Sequence, residues 1–451
     1  MNRQSRHIVW KLWLAMLLGL STPASSQDDS LLATAPPMGW NSWDSYGTTI
    51  REDQVKANAD AMARTLASHG YHYVVVDIQW YQPTAQGHDY KPGAELSMDA
   101  YGRLIPAVNK FPSAANGAGF KPLADYVHAL GLKFGIHIMR GIPRQAVRAN
   151  TPILGTPYHA RDIADSTNGC VWNPDMWGID VRKPGGQEYY DAIAELYASW
   201  GVDFVKADDM GSHRFQPLEI HALRLALNRT GRPIVLSISP GPAPLDTAAF
   251  FAHNAQMWRI SDDFWDDWHL VRKQFDYTRD WAQFVGVLNT WPDADMLPFG
   301  RLRVTDPEGK GSPSKLTFDE QRTVMTLWCI FRSPLIMGGD LPTLDSSTAA
   351  ILTNDEVLAV NQHGKNPRQV LDRPGARIWC SQVPGSSDLY VAVFNLDDTP
   401  RHVDVPWGAI GVTAERITVR DLWEHRLLGE TDRLGVDLTA HGSALFRVGG
   451  R

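Results

Sequence analysis

Eight short apolar runs, each followed by a stretch with helical spacing, are the feature of this sequence that most restricts its fold. Several of the helical stretches end at a glycine, as helix C-termini commonly do. Strands that alternate with helices in eight units predict a (β/α)₈ TIM barrel, in which the active site lies at the C-terminal ends of the strands. The predicted strands begin at Met38, Tyr71, Lys133, Phe204, Pro233, Met257, Phe284 and Ser333.

The C-terminal part of the chain has a different pattern. Short segments with alternating apolar and polar residues begin at Arg377, Asp388, Arg401, Glu415 and Ser443, and turn signals such as GSSD and DDTP separate them. This pattern predicts a small antiparallel β-sandwich domain. We therefore predict a catalytic barrel over residues 27–360 and the sandwich over residues 361–451.

The first 26 residues have the pattern of a signal peptide. Three basic residues precede the apolar run Leu12–Leu20, and small residues follow it. The run is well short of the roughly 20 residues that a membrane span needs. We therefore expect a secreted or periplasmic protein with no stable membrane insertion. Removal of the signal peptide would change the formal net charge from −7 to about −10. Nucleic acid is therefore a poor candidate partner for this acidic protein.

Cysteine and histidine spacing gives no sign of a metal site. The chain has three cysteines, Cys170, Cys329 and Cys380, too few for the disulfide framework of a small secreted domain. CxxC, HExxH and HxH spacings do not occur in the sequence. We therefore expect neither a metal nor a cofactor, and whether any two of the cysteines pair stays open.

Acidic residues end three of the predicted strands. Side chains alternate between the two faces of a strand, so Lys206 and Asp208 share one face, and Arg259 and Asp263 share another. Asp77 ends the second strand in the same way. Strands 2, 4 and 6 of a barrel would bring these carboxylates to one mouth.

Two carboxylates at one mouth suit glycoside hydrolysis. One can attack the anomeric carbon while the other protonates the departing oxygen and later activates water. A neighbouring cation would keep the attacking carboxylate ionised. A purely structural role stays open at this point, because an aspartate after a strand can cap the next helix and Arg259 with Asp263 can form an ion pair.

Several motifs resemble glycoside hydrolase family 27, the α-galactosidase family. The resemblance runs from about Pro36 to the end of the chain, and it rests on PPMGWNSW, VVVDIQW, FGIH, KADD, WRISDD and WPDADML. It implies a retaining hydrolase that acts on terminal sugars without a cofactor. The matching positions imply that Asp208 is the nucleophile and Asp263 the acid/base.

The resemblance also implies a set of substrate-binding residues. His137 occupies the family's tyrosine position, where it could bind a sugar hydroxyl or be a core histidine. Trp43 would stack on the apolar side of the sugar, although a tryptophan at the barrel top can also be a core residue. The other implied binding residues are Asp77, Lys206, Arg259 and Asp295.

Departures from the family pattern bear on specificity. Family members usually have two adjacent acids after strand 2, which contact the axial 4-OH and the 6-OH, but here Asp77 is followed by Ile78. Gln79 could replace the missing contact. Many members have a glutamate near the sugar 2-position, whereas this chain has Ser239 there, and a serine at this position is typical of the α-N-acetylgalactosaminidase branch. Met210 replaces a cysteine that forms a local disulfide in many relatives.

From the sequence we therefore predict an exo-acting α-galactosidase-like glycosidase that uses two aspartates in a double displacement. The same mechanism on β-L-arabinopyranosides, α-N-acetylgalactosaminides or isomalto-dextran is the alternative. Two hypotheses from other functional classes are a non-catalytic carbohydrate-binding protein and a metal-dependent barrel hydrolase. The sequence does not reveal the oligomeric state.

Overall fold

The computed structural model describes residues 31–212, 215–305, 309–413 and 416–449. The predicted signal peptide lies outside these ranges. Within them, no helix combines the length and the apolar character that a membrane span requires.

Eight parallel strands form the barrel, in chain order around the axis. The last strand pairs with the first, and backbone hydrogen bonds of Leu297 to the eighth strand close the ring. The barrel confirms the predicted fold class. Its strands are β1 (Met38–Asn41), β2 (Tyr73–Val76), β3 (Lys133–Met139), β4 (Phe204–Asp208), β5 (Val235–Ile238), β6 (Met257–Arg259), β7 (Trp291–Asp293) and β8 (Leu335–Met337).

Helices surround the barrel and pack their apolar sides against the strands. Every barrel strand is lined with buried residues, as in parallel sheets that are covered on both faces. The longer helices are Glu52–Thr65, Lys121–Ala129, Gly186–Trp200, Pro217–Arg229, Trp268–Trp281, Phe318–Phe331 and Asp355–His363, and the shorter ones are Trp43–Tyr46, Arg144–Ala149, Ala160–Ile163, Ala248–Asn254 and Ser346–Leu352.

The seventh predicted strand is misplaced along the chain. The apolar run from Phe284 begins at the end of the 3₁₀ turn Ala282–Phe284 and contains a second one, Val287–Asn289, and β7 begins only at Trp291. Gly286, Leu288 and Asn289 have positive φ angles of 78°, 53° and 56°, which no strand can accommodate. The apolar pattern was misleading because Leu288 is exposed to solvent.

Two small sheets form within the loops of the barrel. Between β3 and β4, three short strands pair antiparallel, and another pair follows β7. The first set is Ile142–Pro143, Ala164–Gly169 and Met176–Ile179, and the second is Arg301–Leu302 with Ser312–Pro313.

The C-terminal domain is an antiparallel sandwich, as predicted. One sheet has the order β9-β10-β11-β16-β13-β14, and the ribbon β12-β15 makes the second layer. The strands are β9 (Lys365–Arg373), β10 (Ala376–Gln382), β11 (Leu389–Asn395), β12 (Arg401–Val405), β13 (Ile417–Asp421), β14 (Arg426–Thr431), β15 (Leu434–Leu438) and β16 (Ser443–Gly449).

The sandwich packs against the barrel through a shared apolar core. Trp379, Phe394 and Leu445 of the large sheet belong to the same buried cluster as the barrel helices. Polar contacts reinforce this interface, and the Thr323 hydroxyl donates to the carbonyl of His441 at 2.6 Å. Each of the three cysteines is buried and unpaired.

Candidate active site

The floor of the barrel mouth holds a buried ion pair. The Lys206 ammonium on β4 donates to Asp77 Oδ2 at 2.8 Å, and the Asn41 amide donates to the same oxygen at 2.7 Å. Burial raises the pKa of Asp77, but the Lys206 charge and these hydrogen bonds outweigh it, so the pKa is lowered overall. Asp77 is therefore an anion that faces the cleft.

Asp208 is held as a carboxylate by three donors. Its Oδ1 accepts from the Ser239 hydroxyl at 2.8 Å and from the backbone N–H of Asp209 at 2.9 Å, and its Oδ2 accepts from His137 Nε2 at 3.0 Å. Burial raises the pKa of Asp208, whereas His137, Lys206 and Ser239 lower it to about 2. A carboxylate that stays ionised at neutral pH and faces an open cleft can act as a nucleophile.

His137 is completely buried on β3, next to Lys206 in the barrel register. Its Nε2 bonds to Asp208 and lies 4.0 Å from Asp77 Oδ1. Its Nδ1 has no hydrogen-bond partner among the described residues. The structure thus places His137 behind the nucleophile candidate rather than on the wall of the cleft.

Asp263 follows β6 and lines the same cleft in a different environment. Its side chain is 57% exposed, compared with 13% for Asp208. The buried Arg259 guanidinium on β6 lies 3.4 Å from Asp263 Oδ1 and 2.8 Å from Asp295 Oδ2. An accessible carboxyl in the same cleft as a largely buried carboxylate suits the roles of an acid/base and a nucleophile.

The cleft between these groups has a volume of about 610 Å³. Six of the eight predicted site residues line it, namely Trp43, Asp77, Lys206, Asp208, Arg259 and Asp263. Asp295 lies behind Arg259, at a small inner cavity of about 20 Å³, and its carboxylate accepts the backbone N–H of Phe264. Asp295 and His137 therefore contact the charged side chains of the cleft instead of forming its wall.

Aromatic residues on loops form a wall that the sequence analysis did not identify. Tyr90 lies nearly parallel to Trp43, with ring centroids 6.3 Å apart and an interplanar angle of 9°. Trp172 continues the wall, 5.4 Å from Tyr90. Tyr90 and Trp172 lie in irregular segments without periodicity, so their direction could not be inferred from the sequence.

The residues after Asp77 point in different directions. Ile78 lines the cleft with an apolar side chain. Gln79 is buried, and its amide donates to Asp175 Oδ2 at 2.6 Å. Gln79 therefore does not replace the missing acid at the cleft, where Ile78 is the neighbour of Asp77.

A second buried network, also missed in the sequence, holds the residue after the nucleophile candidate. The Arg140 guanidinium bonds to Asp209 Oδ2 at 2.6 Å and to Glu219 Oε1 at 2.7 Å. Asp209 has a positive φ of 61°, and it donates its backbone N–H to Asp208. Arg140 thus fixes the turn that orients one donor to Asp208.

Comparison with known proteins identifies the family of the chain. Residues 175–363 match the family described as alpha galactosidase A, and residues 374–448 match its C-terminal beta sandwich domain. Alpha-galactosidase 3 of Arabidopsis thaliana is 30% identical, over 88% of this chain and 77% of the relative. An alpha-N-acetylgalactosaminidase of Gallus gallus is 29% identical, over 83% of this chain and 81% of that one.

Solved structures give a closer match. The structure of a family 27 β-L-arabinopyranosidase variant from Geobacillus stearothermophilus, in complex with arabinose, is 51% identical to this chain. The TM-score is 0.91, and the match covers 95% of this chain and 100% of the other. The matched family models, these relatives and the shared fold show that the chain belongs to glycoside hydrolase family 27 and is an α-galactosidase-like glycosidase.

Proposed function

We propose that this protein removes terminal β-L-arabinopyranosyl residues from glycosides by a retaining double displacement. The observation that carries the proposal is the apolar side chain of Ile78 beside Asp77 in the cleft. β-L-Arabinopyranose has the ring arrangement of α-D-galactopyranose but lacks the CH₂OH group. Ile78 thus removes a polar contact for the one group in which the two sugars differ.

The magnitude of this effect decides between the sugars. A buried hydroxyl without a partner costs about 1 to 3 kcal/mol, which is one to two orders of magnitude in preference. A galactoside would place its 6-OH against the Ile78 side chain, whereas an arabinopyranoside has no such group. The 51% identity to an enzyme described as a β-L-arabinopyranosidase supports the same choice.

In the proposed reaction, Asp208 attacks the anomeric carbon and forms a glycosyl ester. Asp263 protonates the leaving oxygen in this step and then deprotonates the water that hydrolyses the ester. Two inversions give net retention. The low pKa of Asp208 and the exposure of Asp263 support these roles, because the nucleophile must be ionised and the acid/base must reach both the leaving group and water.

α-D-Galactosides are the second candidate substrate. Asp77 and Lys206 would still hold an axial 4-OH, which galactose and β-L-arabinopyranose share and glucose lacks. We therefore expect α-D-glucosides to be cleaved at least about tenfold more slowly than α-D-galactosides.

The export predicted from residues 1–26 is part of this proposal, which places the enzyme outside the cytoplasm.

The test compares kcat/KM for the 4-nitrophenyl glycosides of β-L-arabinopyranose, α-D-galactose and α-D-glucose. The arabinopyranoside should exceed the galactoside by about tenfold or more. Ile78→Asp should raise the galactoside-to-arabinopyranoside ratio, while the matched apolar variant Ile78→Val should leave that ratio unchanged. NMR of the first-formed sugar should show retention of the anomeric configuration.

Two results would count against the proposal. A clear preference for the glucoside would remove the assigned role of Asp77. A ratio that does not change in folded Ile78→Asp would show that position 78 does not select between the sugars.

A further inference from the structure

The loop from Cys170 to Asp175 is fixed at the rim of the cleft by buried polar contacts. Asp175 Oδ2 accepts from the Gln79 amide at 2.6 Å and from the Tyr81 hydroxyl at 3.1 Å. Asn173 Oδ1 accepts the backbone N–H of Asp175 at 2.8 Å. Asn173, Asp175, Gln79 and Tyr81 are all buried. These contacts anchor the loop through Asn173 and Asp175.

The fixed loop presents two apolar side chains to solvent. Val171 is 76% exposed and Trp172 is 37% exposed, and both line the cleft. Exposed apolar side chains at the edge of a concave site commonly mark a binding surface. Because these contacts anchor the loop without a ligand, we expect binding to these side chains to cost little in backbone ordering.

The position of this surface defines which part of a substrate it meets. The inner end of the cleft is closed by the buried Asp77 and the partly buried Lys206, and the exposed Asp263 lies at the mouth. A sugar in the inner end must direct its leaving group toward the mouth. Tyr90 connects Trp43 in the cleft with Trp172 at the rim, so the aromatic wall extends outward along that path.

We propose that Tyr90, Val171 and Trp172 form an outer subsite that binds an apolar, ring-bearing leaving group. This inference rests on the proposed function, since it assigns the other half of the same substrate. Val171 has no polar group, and Tyr90 and Trp172 have one each, a hydroxyl and an indole N–H. A second sugar placed on this wall would leave most of its hydroxyls without protein partners, whereas an apolar ring would cover Trp172 and exclude water from it.

The test uses two glycosides of the same sugar whose leaving groups are both primary alcohols, so that leaving-group basicity differs little. These are the methyl and the cyclohexylmethyl β-L-arabinopyranosides, and the readout is the ratio of their kcat/KM values. In the wild type, the cyclohexylmethyl glycoside should be favoured about tenfold or more. Trp172→Ala should lower this ratio about tenfold, and Val171→Ser about threefold.

The ratio cancels any general effect of a substitution on the sugar end of the cleft. Leu427→Ala is the matched control, because Leu427 is 59% exposed on the C-terminal domain and should leave the ratio unchanged. Thermal unfolding of each variant establishes that it is folded. If galactosides prove to be the better substrates, the same pair is made with α-D-galactose.

The outcomes separate this inference from the proposed function. If the wild type cleaves none of the 4-nitrophenyl glycosides, the proposed function fails. If it cleaves them but the cyclohexylmethyl-to-methyl ratio is near one, or is the same in folded Trp172→Ala, the outer subsite is refuted. A disaccharide with the same terminal sugar that is preferred to the cyclohexylmethyl glycoside, and that loses as much in Trp172→Ala, would also overturn it.

Discussion

Removing the hydrogen bond from His137 to Asp208 should move the acid limb of the activity profile to higher pH. His137 is fully buried and donates from Nε2 to the nucleophile candidate at 3.0 Å. His137→Phe keeps a planar ring in the space and deletes the donor. His137→Gln keeps an amide N–H that can reach the same oxygen, so it serves as the conservative control.

The size of the shift follows from the three hydrogen bonds that Asp208 accepts. A hydrogen bond to an ionised group contributes about 1.5 to 3 kcal/mol, and 1.36 kcal/mol corresponds to one pKa unit. The pKa of Asp208 is about 2 with all donors present. Loss of His137 should therefore move the acid limb upward by about one to two pH units. The Ser239 and Asp209 donors remain and limit the shift.

Activity and the contribution of Asp208 to folding stability should both decrease as the pH falls. As the proposed nucleophile, Asp208 must be ionised to attack, so we expect activity to fall as the pH drops through its pKa. Because folding lowers this pKa, its contribution to stability is present above about pH 4 and is lost as the pH falls toward 2. In His137→Phe, the loss of activity should begin at higher pH than in the wild type. The contribution of Asp208 to stability should become smaller, because its folded-state pKa moves toward the unfolded value.

The assay is kcat/KM as a function of pH on an activated aryl glycoside, because this parameter reports the pKa of the free enzyme. Brief pre-incubation at each pH, followed by assay at pH 6, corrects for irreversible acid inactivation. An acid limb of folded His137→Phe that overlays that of the wild type would refute the reasoning. So would a His137→Gln profile that is displaced as far as that of His137→Phe.

Three further predictions concern the aspartates and the network behind them. Asp208→Ala should abolish turnover, with partial recovery by azide, and a mechanism-based glycosyl fluoride should label Asp208 in the wild type; a label on Asp209 would contradict this assignment. Asp263→Ala should still be glycosylated rapidly by substrates with good leaving groups and should release the sugar slowly, whereas equal losses for good and poor leaving groups would exclude the acid/base role. Arg140→Met should lower the free energy of unfolding, measured in urea, by about 3 to 5 kcal/mol, because Glu219 and Asp209 would lose their buried partner. A loss below about 1 kcal/mol would show that these ion pairs do not contribute to stability.

The sequence predicted the barrel because its strands carry their own signal. The run from Phe204 alternates its faces, and the structure places Lys206 and Asp208 together in the cleft. The seventh strand shows the limit of this signal. Pro292 lies inside β7 although proline cannot donate a backbone hydrogen bond, so the true strand looked less strand-like than the turn before it.

Contacts across the barrel were less accessible from the sequence. The FGIH motif located His137 on a strand. Whether its side chain contacts a sugar or lies in the core depends on its distance from Asp208 on the neighbouring strand, which the sequence does not give. Gln79 shares a face with Asp77 in an ideal strand, yet β2 ends at Val76 and the alternation no longer applies. The structure directs the Gln79 amide to Asp175 instead.

The two ends of the cleft are built from different parts of the chain for a physical reason. The inner end concentrates charged side chains that are costly to bury, so each must be paired and held at a fixed position, as Lys206 is with Asp77. Rigid strands can provide such positions. The outer rim needs only apolar area and shape, which a loop can supply once it is anchored through Asp175. We therefore expect sugar preference to depend on residues at the strand ends and leaving-group preference to depend on the loop that carries Trp172.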